Sequence, residues 1–589
     1  MKIEVERVIE GKSPVEALWP YVANTERTNR AVGMAPVQYR PTSGGAARFI
    51  GATNLGGFDV EYDERPAEWE EERYFRIDRR MHAGPVAGID MRFFFEPRPP
   101  GSTVCIRLAF EPRTALLAPI LRLRARQSID QIVQEIERID HVLARGQRPT
   151  LSTHGQVNEA ALTAALRGLQ GKVNAAVLER LARLLREGDD LEVTRLRPYE
   201  LADQWGEERR PVLEAMLEGV KAGLFELRWE LICPSCRVAV ETIPTLQQLR
   251  DHGSCQLCEL DFGLDTDEAL EVSFSPAKAV RNFAPGPFCI AGPALVPHVV
   301  SQALLPPGGA ATLPGPRVPG RYRVFVRGGA RGQLLVEEGA PAEATADVSA
   351  LPERLALAPG GRLQLRNPWD ERHAKIERTA WAHQAVTARD LSTLAAFRRL
   401  FSSELLRPGA SLRVARVALF FSDLTGSTQL YSTVGDAAAF RLVQDHFDLI
   451  FRLVEGHHGA LVKTIGDAVM AAFADELDAV AASMAILAAF EGFRREHPNG
   501  ARTHVKLGVF AGPCYVVTAN GILDYFGQTV NIAARLQGQA ESGELVISGE
   551  LADEALARGL VAKGAVRGRQ EVRLKGVDGG VPIVRLVSA

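Results

Sequence analysis

The sequence predicts a chain of several α+β domains, on three observations. Its 589 residues exceed what one hydrophobic core organises, so three to five domains are expected. Strand-like runs with a two-residue alternation recur between stretches with a helical repeat, and Pro- and Gly-rich segments separate the blocks. Four of the seven cysteines fall in two Cys-x-x-Cys pairs, which suits a metal-stapled domain better than a disulfide framework. At 46% hydrophobic and 24% charged, most of the chain can fold. A net charge of −3 excludes a chain-wide basic surface for nucleic acid. No apolar run reaches the length of a membrane span, and the longest, over 479–490, contains Ser483 and reads as a domain helix. The opening Met-Lys-Ile-Glu-Val-Glu-Arg has no signal-peptide pattern, so a cytoplasmic protein is expected.

Residues 1–146 open with a strand over 3–9 and a helix over 14–32 that places Val15, Leu18, Trp19 and Val22 on one face. Alternating runs such as Tyr74-Phe-Arg-Ile-Asp and Met91-Arg-Phe-Phe-Phe follow, then an amphipathic helix over 125–143. This order resembles the START-like (SRPBCC) helix-grip domains, which implies a concavity for an apolar small ligand; a filled core is the competing expectation. Residues 150–230 read as helices over 157–169, 172–187 and 197–222 with a strand over 223–231, an order that resembles a winged helix. Arg209 and Arg210 are offset by Glu207 and Glu208, so a helical packing module is expected and no nucleic-acid partner.

Residues 231–270 hold Cys233-Pro-Ser-Cys236, eighteen further residues, and Cys255-Gln-Leu-Cys258. Two such knuckles read as a zinc ribbon. Four thiolates close the coordination shell, so one structural Zn²⁺ is expected rather than a catalytic one. His252 could in principle replace a thiolate, though nothing in the sequence favours it. Residues 271–388 are β-rich, with strand-like runs at 321–327 and 333–337, and a small sandwich is expected. A linker over 389–412 carries a helix over 390–406, with Leu394, Phe397, Phe401 and Leu405 near one face.

The chemistry lies in residues 413–589. An apolar β-rich run over 414–421 leads into Phe421-Ser-Asp-Leu-Thr-Gly-Ser-Thr428, and Lys463-Thr-Ile-Gly-Asp467 lies in a second strand and its turn. Each run delivers one carboxylate, Asp423 or Asp467, beside a glycine. Two such groups on neighbouring strands suit Mg²⁺ or Mn²⁺, which bind few carboxylates and leave room for phosphate oxygens. The backbone N–H groups of Gly426, Ser427 and Thr428 are candidates to receive phosphate. In Leu523-Asp-Tyr-Phe-Gly-Gln-Thr-Val-Asn-Ile-Ala-Ala-Arg535, Asn531 and Arg535 are four apart on a predicted helix and share a face. Singly each residue is a turn, cap or surface group; together, in this order, they carry a site.

These motifs resemble the catalytic domain of class III nucleotidyl cyclases. The resemblance implies a two-layer, ferredoxin-like fold of antiparallel sheet and helices, dimerising head to tail with active sites in the interface. It assigns two Mg²⁺ or Mn²⁺ per site to Asp423, the Leu424 carbonyl and Asp467. Lys463 and Asp524 then read the base, Asn531 positions the ribose, Arg535 stabilises the transition state and Lys575, in Arg573-Leu-Lys-Gly576, reaches the triphosphate. A Lys/Asp pair goes with adenine in that family, so ATP is the expected substrate. Guanylyl cyclases tend to carry Glu and Cys there. The two acids come from one protomer and the remaining five side chains from the other, so a homodimer is expected. The competing expectations are a cyclase using GTP and a silent nucleotide-binding scaffold. The zinc ribbon and the β-rich region together resemble an uncharacterised module found beside bacterial cyclase domains.

Overall fold

The computed structural model describes residues 2–42, 49–55, 58–151, 155–264, 269–282, 288–290, 292–379, 384–426, 432–577 and 579–588. Strand β1 (Ile3–Gly11) puts Ile3, Val5 and Ile9 inward at a spacing of two or four, as a pleated strand requires. With β2 (Glu68–Glu70), β3 (Tyr74–Met81), β4 (Val86–Arg98) and β5 (Gly101–Pro112) it forms a sheet in the order β1-β5-β4-β3-β2. Helix α1 (Ala118–Leu143) starts earlier than expected and lays Ile129, Ile132, Ile136 and Ile139 against Phe75, Phe93 and Phe95. The helix expected over 14–32 is two, Val15–Val22 and Thr25–Ala31, because the Asn24 side chain accepts the Arg27 N–H and starts a new one.

Helices α2 (Glu159–Leu169), α3 (Ala175–Glu187) and α4 (Arg209–Lys221) pack around Leu162, Val177, Leu181 and Met216. The helix expected over 197–222 splits into Pro198–Trp205 and α4 at Gly206, whose φ of 66° stops the first piece. Strand β6 (Phe225–Ile232) follows directly and pairs with β7 (Leu270–Pro276) across the cysteine-bearing segment.

Strand β8 (Val299–Leu305) then does what no local pattern announces. It pairs with β2, placing Ser301 opposite Glu70 and Gln302 opposite Trp69. Trp69 donates its indole N–H to the Val299 carbonyl at 3.0 Å. Residues 1–146 and the β-rich region therefore share one sheet, which continues through β9 (Arg372–Arg378). Three strands, Ala310–Pro314, Glu343–Asp347 and Arg362–Arg366, form a second sheet over a core that includes Val324, Leu334, Leu363, Leu365 and Ile376.

The linker helix expected over 390–406 breaks into α5 (Ala388–Ser392) and α6 (Ala395–Leu400). Thr387 and Asp390 form a capping box that fixes the start of α5, and Leu394 between the helices is extended (φ −98°, ψ 119°). Strand β10 (Ser411–Thr425) opens the last domain. There follow α7 (Asp436–Gly456), β11 (Ala460–Ile465), β12 (Ala468–Phe473), α8 (Glu476–Glu496), β13 (His504–Ala519), β14 (Ile522–Phe526), α9 (Gln528–Gln539), β15 (Glu544–Ser548), β16 (Val566–Val572) and β17 (Val581–Val587). The sheet runs β11-β12-β10-β13-β15-β17-β16, with β14 appended to β13. Successive residues of β10 feed opposite cores: Ala418 and Phe420 meet α7 and α8, whereas Leu419 and Phe421 join the cluster that holds Ala533 of α9 and Phe397 of α6. Helices thus cover both faces, one layer more than expected. Among the described residues no helix is long and apolar enough to cross a membrane.

His446 of α7 is fully buried, its Nδ1 3.3 Å from the Val443 carbonyl and its ring against Phe447 and Phe490. Burial pushes its pKa from the usual 6.5 down to about 4. The unfolded chain therefore takes a proton at this residue before the folded one does. The stability His446 leaves intact above pH 6.5 is lost as pH falls to about 4, a span worth on the order of 3 kcal/mol. Denaturant titrations from pH 7 to 4 should show the gap between wild type and His446→Leu shifting in the variant's favour by that amount; a pH-independent gap contradicts it.

Candidate active site

The two acids of the proposed metal site are brought together by sheet register. Hairpin β11–β12 turns at Gly466, whose φ of 64° suits a residue without a Cβ, and Asp467 sits in that turn. Strand β10 lies beside β12 with Ser422 opposite Val469, which sets Asp423 next to the hairpin's turn. Burial first, and the Asp467 carboxylate second, push Asp423 above the usual carboxylate range; Lys506, opposite it on β13, pulls the other way. One oxygen of Asp467 is buried without a partner. Two repelling carboxylates and an orphaned oxygen fit a divalent cation, which supplies the missing charge and bonds. Leu424 follows Asp423 in the strand, its side chain anchored in the apolar core, so its backbone is held beside the pair. Ser427 and Thr428, the other phosphate candidates, lie outside the described residues.

Lys463 and Asp524 meet although they are far apart in the sheet. Lys463 follows a register shift in β11, and Asp524 lies on β14 opposite Val517. The Lys463 ammonium donates to Asp524 Oδ2, and Oδ1 accepts the Tyr525 N–H at 2.8 Å. Asp524 is only 5% exposed, so it is a desolvated acceptor held by two donors.

Asn531 and Arg535 sit on α9, whose inward face is Thr529, Ile532, Ala533 and Leu536. Asn531 is exposed and Arg535 half-buried, so both flank the packed face. The helix presses on β13 at Gly508, where a Cβ would fall 2.2 Å from the Gln537 nitrogen. A Cβ added to Gly576 would lie 3.7 Å from Arg535 Nη1, so the turn bearing Lys575 adjoins the guanidinium. Within one chain the site residues form three groups: Asp423 with Asp467, Lys463 with Asp524, and Arg535 with the Lys575 turn. Sequence reasoning missed Lys506 and Gln537, which both act on Asp423. Their placement depends on cross-strand and helix–strand register, for which the sequence gives no local signal.

The four cysteines Cys233, Cys236, Cys255 and Cys258 are buried, with their sulfurs within 4.8 Å of one another. A tetrahedral zinc with bonds of about 2.3 Å needs sulfurs roughly 3.8 Å apart, so the set fits. His252 is exposed and outside the set. Two residues of the β-rich region adjoin the set: Phe325 packs on it, and Lys375 of β9, 2% exposed, places Nζ 3.8 Å from Cys258 Sγ and 3.3 Å from Glu377. A buried ammonium offsets the excess negative charge of four thiolates. Lys375→Met should therefore weaken metal retention about 10–100-fold in competition with a chelator. Unchanged retention would show that the lysine serves packing alone.

Residues 410–583 match the family model described as adenylate and guanylate cyclase catalytic domain. Residues 158–287 match a family of unknown function (DUF5939), which spans the helical region and the cysteine cluster rather than the cluster and the sandwich. Guanylate cyclase 2G of Mus musculus is 29% identical over 184 residues, covering 28% of this chain and 16% of its own length. An uncharacterized protein of Mycobacterium bovis is 35% identical over 135 residues, covering 23% of this chain and 32% of its own. The chain thus spans under a third of the length of these relatives. The crystal structure of the adenylyl cyclase CyaB from P. aeruginosa, 23% identical, covers 31% of this chain and 97% of that one at a TM-score of 0.27. The C-terminal part of the chain is a class III adenylate and guanylate cyclase catalytic domain.

Proposed function

We propose that the chain converts ATP to 3′,5′-cyclic AMP and pyrophosphate at a composite site formed by two copies, under the control of its N-terminal domains. The observation that carries the base assignment is the Lys463–Asp524 pair, in which a half-buried lysine donates to a buried carboxylate. Adenine presents a ring-nitrogen acceptor and an exocyclic amino donor, which match a lysine donor beside a carboxylate acceptor. Guanine presents a carbonyl where adenine has the amino group, and Asp524 would meet it acceptor to acceptor.

In the reaction the 3′-hydroxyl oxygen bonds to the α-phosphorus, the bond to pyrophosphate breaks and the hydroxyl proton leaves to solvent. Asp423, Asp467 and the Leu424 carbonyl would hold the two Mg²⁺ or Mn²⁺ ions, which supply positive charge near the attacking and phosphate oxygens when bound. Asn531 fixes the ribose and so the line of attack, which matters because the nucleophile belongs to the substrate and needs only alignment. Arg535 donates to the charge that grows on the α-phosphoryl group, and its planar fork suits two oxygens at once. Lys575, on the turn beside Arg535, holds the triphosphate.

The test is incubation of the purified full chain with ATP or GTP plus Mg²⁺ or Mn²⁺, with products identified by mass. Cyclic AMP from ATP in excess over cyclic GTP from GTP is expected. Cyclic GTP as the main product would overturn the base assignment, and no cyclic product under any combination would leave a nucleotide-binding scaffold.

A further inference from the structure

Asp524 is gripped from outside the catalytic domain. Its two chain neighbours are the contact points of the linker helices. Arg398 of α6 donates through Nη1 to the Leu523 carbonyl at 2.8 Å and through Nε to the Ser392 carbonyl at 2.6 Å. Its guanidinium lies 5.4 Å from the centre of the Tyr525 ring. The Tyr525 hydroxyl in turn bonds Ser392 Oγ at 3.0 Å, at the end of α5. Leu523 and Tyr525 are 8% and 4% exposed, so the Tyr525–Ser392 bond is made away from water and the half-buried Arg398 bonds are partly shielded from it, which makes them count for more than surface ones. The break between α5 and α6 makes the arrangement possible: a continuous helix would use the Ser392 carbonyl within its own ladder. Instead Arg398 links that carbonyl to the backbone of β14.

The same helix is tied to the module upstream. Phe397, next to Arg398, meets Trp229 of β6 edge to face at 6.0 Å and stacks on Phe401 at 5.3 Å. Both Trp229 and Phe397 are 1% exposed. A cavity of about 350 Å³ separates α6 from α7, β11 and β14, lined by Arg398, Phe401, Phe451, Leu461 and Leu523. Strands β11 and β14 carry Lys463 and Asp524; α6 is hydrogen-bonded to β14 through Arg398 and faces both strands across this cavity.

We propose that Arg398 and Ser392 are positioning residues for base recognition: they set the backbone on either side of Asp524, so the segment that joins the upstream module to the catalytic domain tunes which base is accepted and how tightly. This rests on the reading of Asp524 as a base-reading residue. The remaining nitrogen of Arg398, Nη2, is buried without a hydrogen-bond partner.

The experiment measures kcat and KM of the full chain with ATP and with GTP for wild type, Arg398→Ala, Arg398→Lys, Ser392→Ala, Tyr525→Phe and Asp524→Ala. Arg398→Ala should raise KM for ATP about tenfold and lower the ATP-over-GTP preference by a similar factor, with kcat changed less than about threefold. Arg398→Lys, which can still reach one carbonyl, should recover KM to within about threefold of wild type. Ser392→Ala and Tyr525→Phe each remove one oxygen without disturbing the fold and should give the same change at smaller size. A loss in kcat with KM and base preference intact would overturn the proposal, because that is what a purely structural joint produces. If Asp524→Ala raises KM and the linker variants do not, positioning fails while base reading stands; if Asp524→Ala leaves KM unchanged, base reading itself fails.

Discussion

Mixing an Asp423→Ala chain with an Arg535→Ala chain should restore about a quarter of wild-type activity, although each variant alone is almost inactive. The reasoning follows from where the groups sit. Asp423 and Asp467 adjoin one another in a single chain, whereas Asn531 is exposed on α9 and Arg535 is half-buried. If two copies meet head to tail, one lends the acids and the other the helix. Removing a transition-state donor, the role proposed for Arg535, costs about 10²–10³ in turnover, and removing a metal ligand is expected to cost at least as much. Random pairing puts half the variant chains into mixed dimers. Each mixed dimer has one site with both defects and one with neither, which gives the quarter. A sharper control pairs Asp423→Ala with Asp467→Ala. Both acids serve the same half-site, so every site in that mixture lacks one and activity should stay absent. Equal rescue in both mixtures, or none in either under exchanging conditions, would sink the composite site.

The C-terminal domain was legible because its candidate site residues are written in short contiguous runs. FSDLTGST and KTIGD each carry an acid on a strand end or turn, and the Gly466 conformation follows from its residue type. The four-residue spacing of Asn531 and Arg535 needed only a helix to become a shared flank. What stayed hidden depends on register between distant segments. The pairing of Ser301 with Glu70 joins strands more than two hundred residues apart, and nothing in either strand's alternation names its partner. The linker failed for a different reason. Its apolar residues have helical spacing, but the Ser392 carbonyl finds a better donor in Arg398, and a half-buried guanidinium bonded to two carbonyls outweighs one more turn of helix. Lys375 was illegible on both counts: its run reads as an ordinary strand, and only the fold puts its ammonium beside Cys258.

Reversing the hydrogen-bonding sense of the base pocket should reverse its preference. In wild type the Lys463 ammonium and the Asp524 carboxylate satisfy one another, and on the proposed reading adenine takes a place between or beside them with its own donor and acceptor. The double variant Lys463→Glu with Asp524→Cys offers an acceptor where the lysine donated and a weak donor where the carboxylate accepted, which is the complement of guanine's edge. We expect the ratio of kcat/KM for ATP over GTP to fall by about 10² or more, since a site built to hydrogen-bond one edge leaves buried groups unpaired with the other. The single variants should be worse than the double with either nucleotide. Lys463→Glu alone sets a second carboxylate against Asp524, which is 5% exposed and already holds one backbone donor. Asp524→Cys alone leaves a lysine with no counter-charge in the pocket. This ordering, with the double variant above both singles on GTP, separates recognition by a coupled pair from independent effects of two residues. Additive losses with an unchanged ATP-over-GTP ratio would mean that the pair stabilises the fold of β11 and β14 and that the base is read elsewhere.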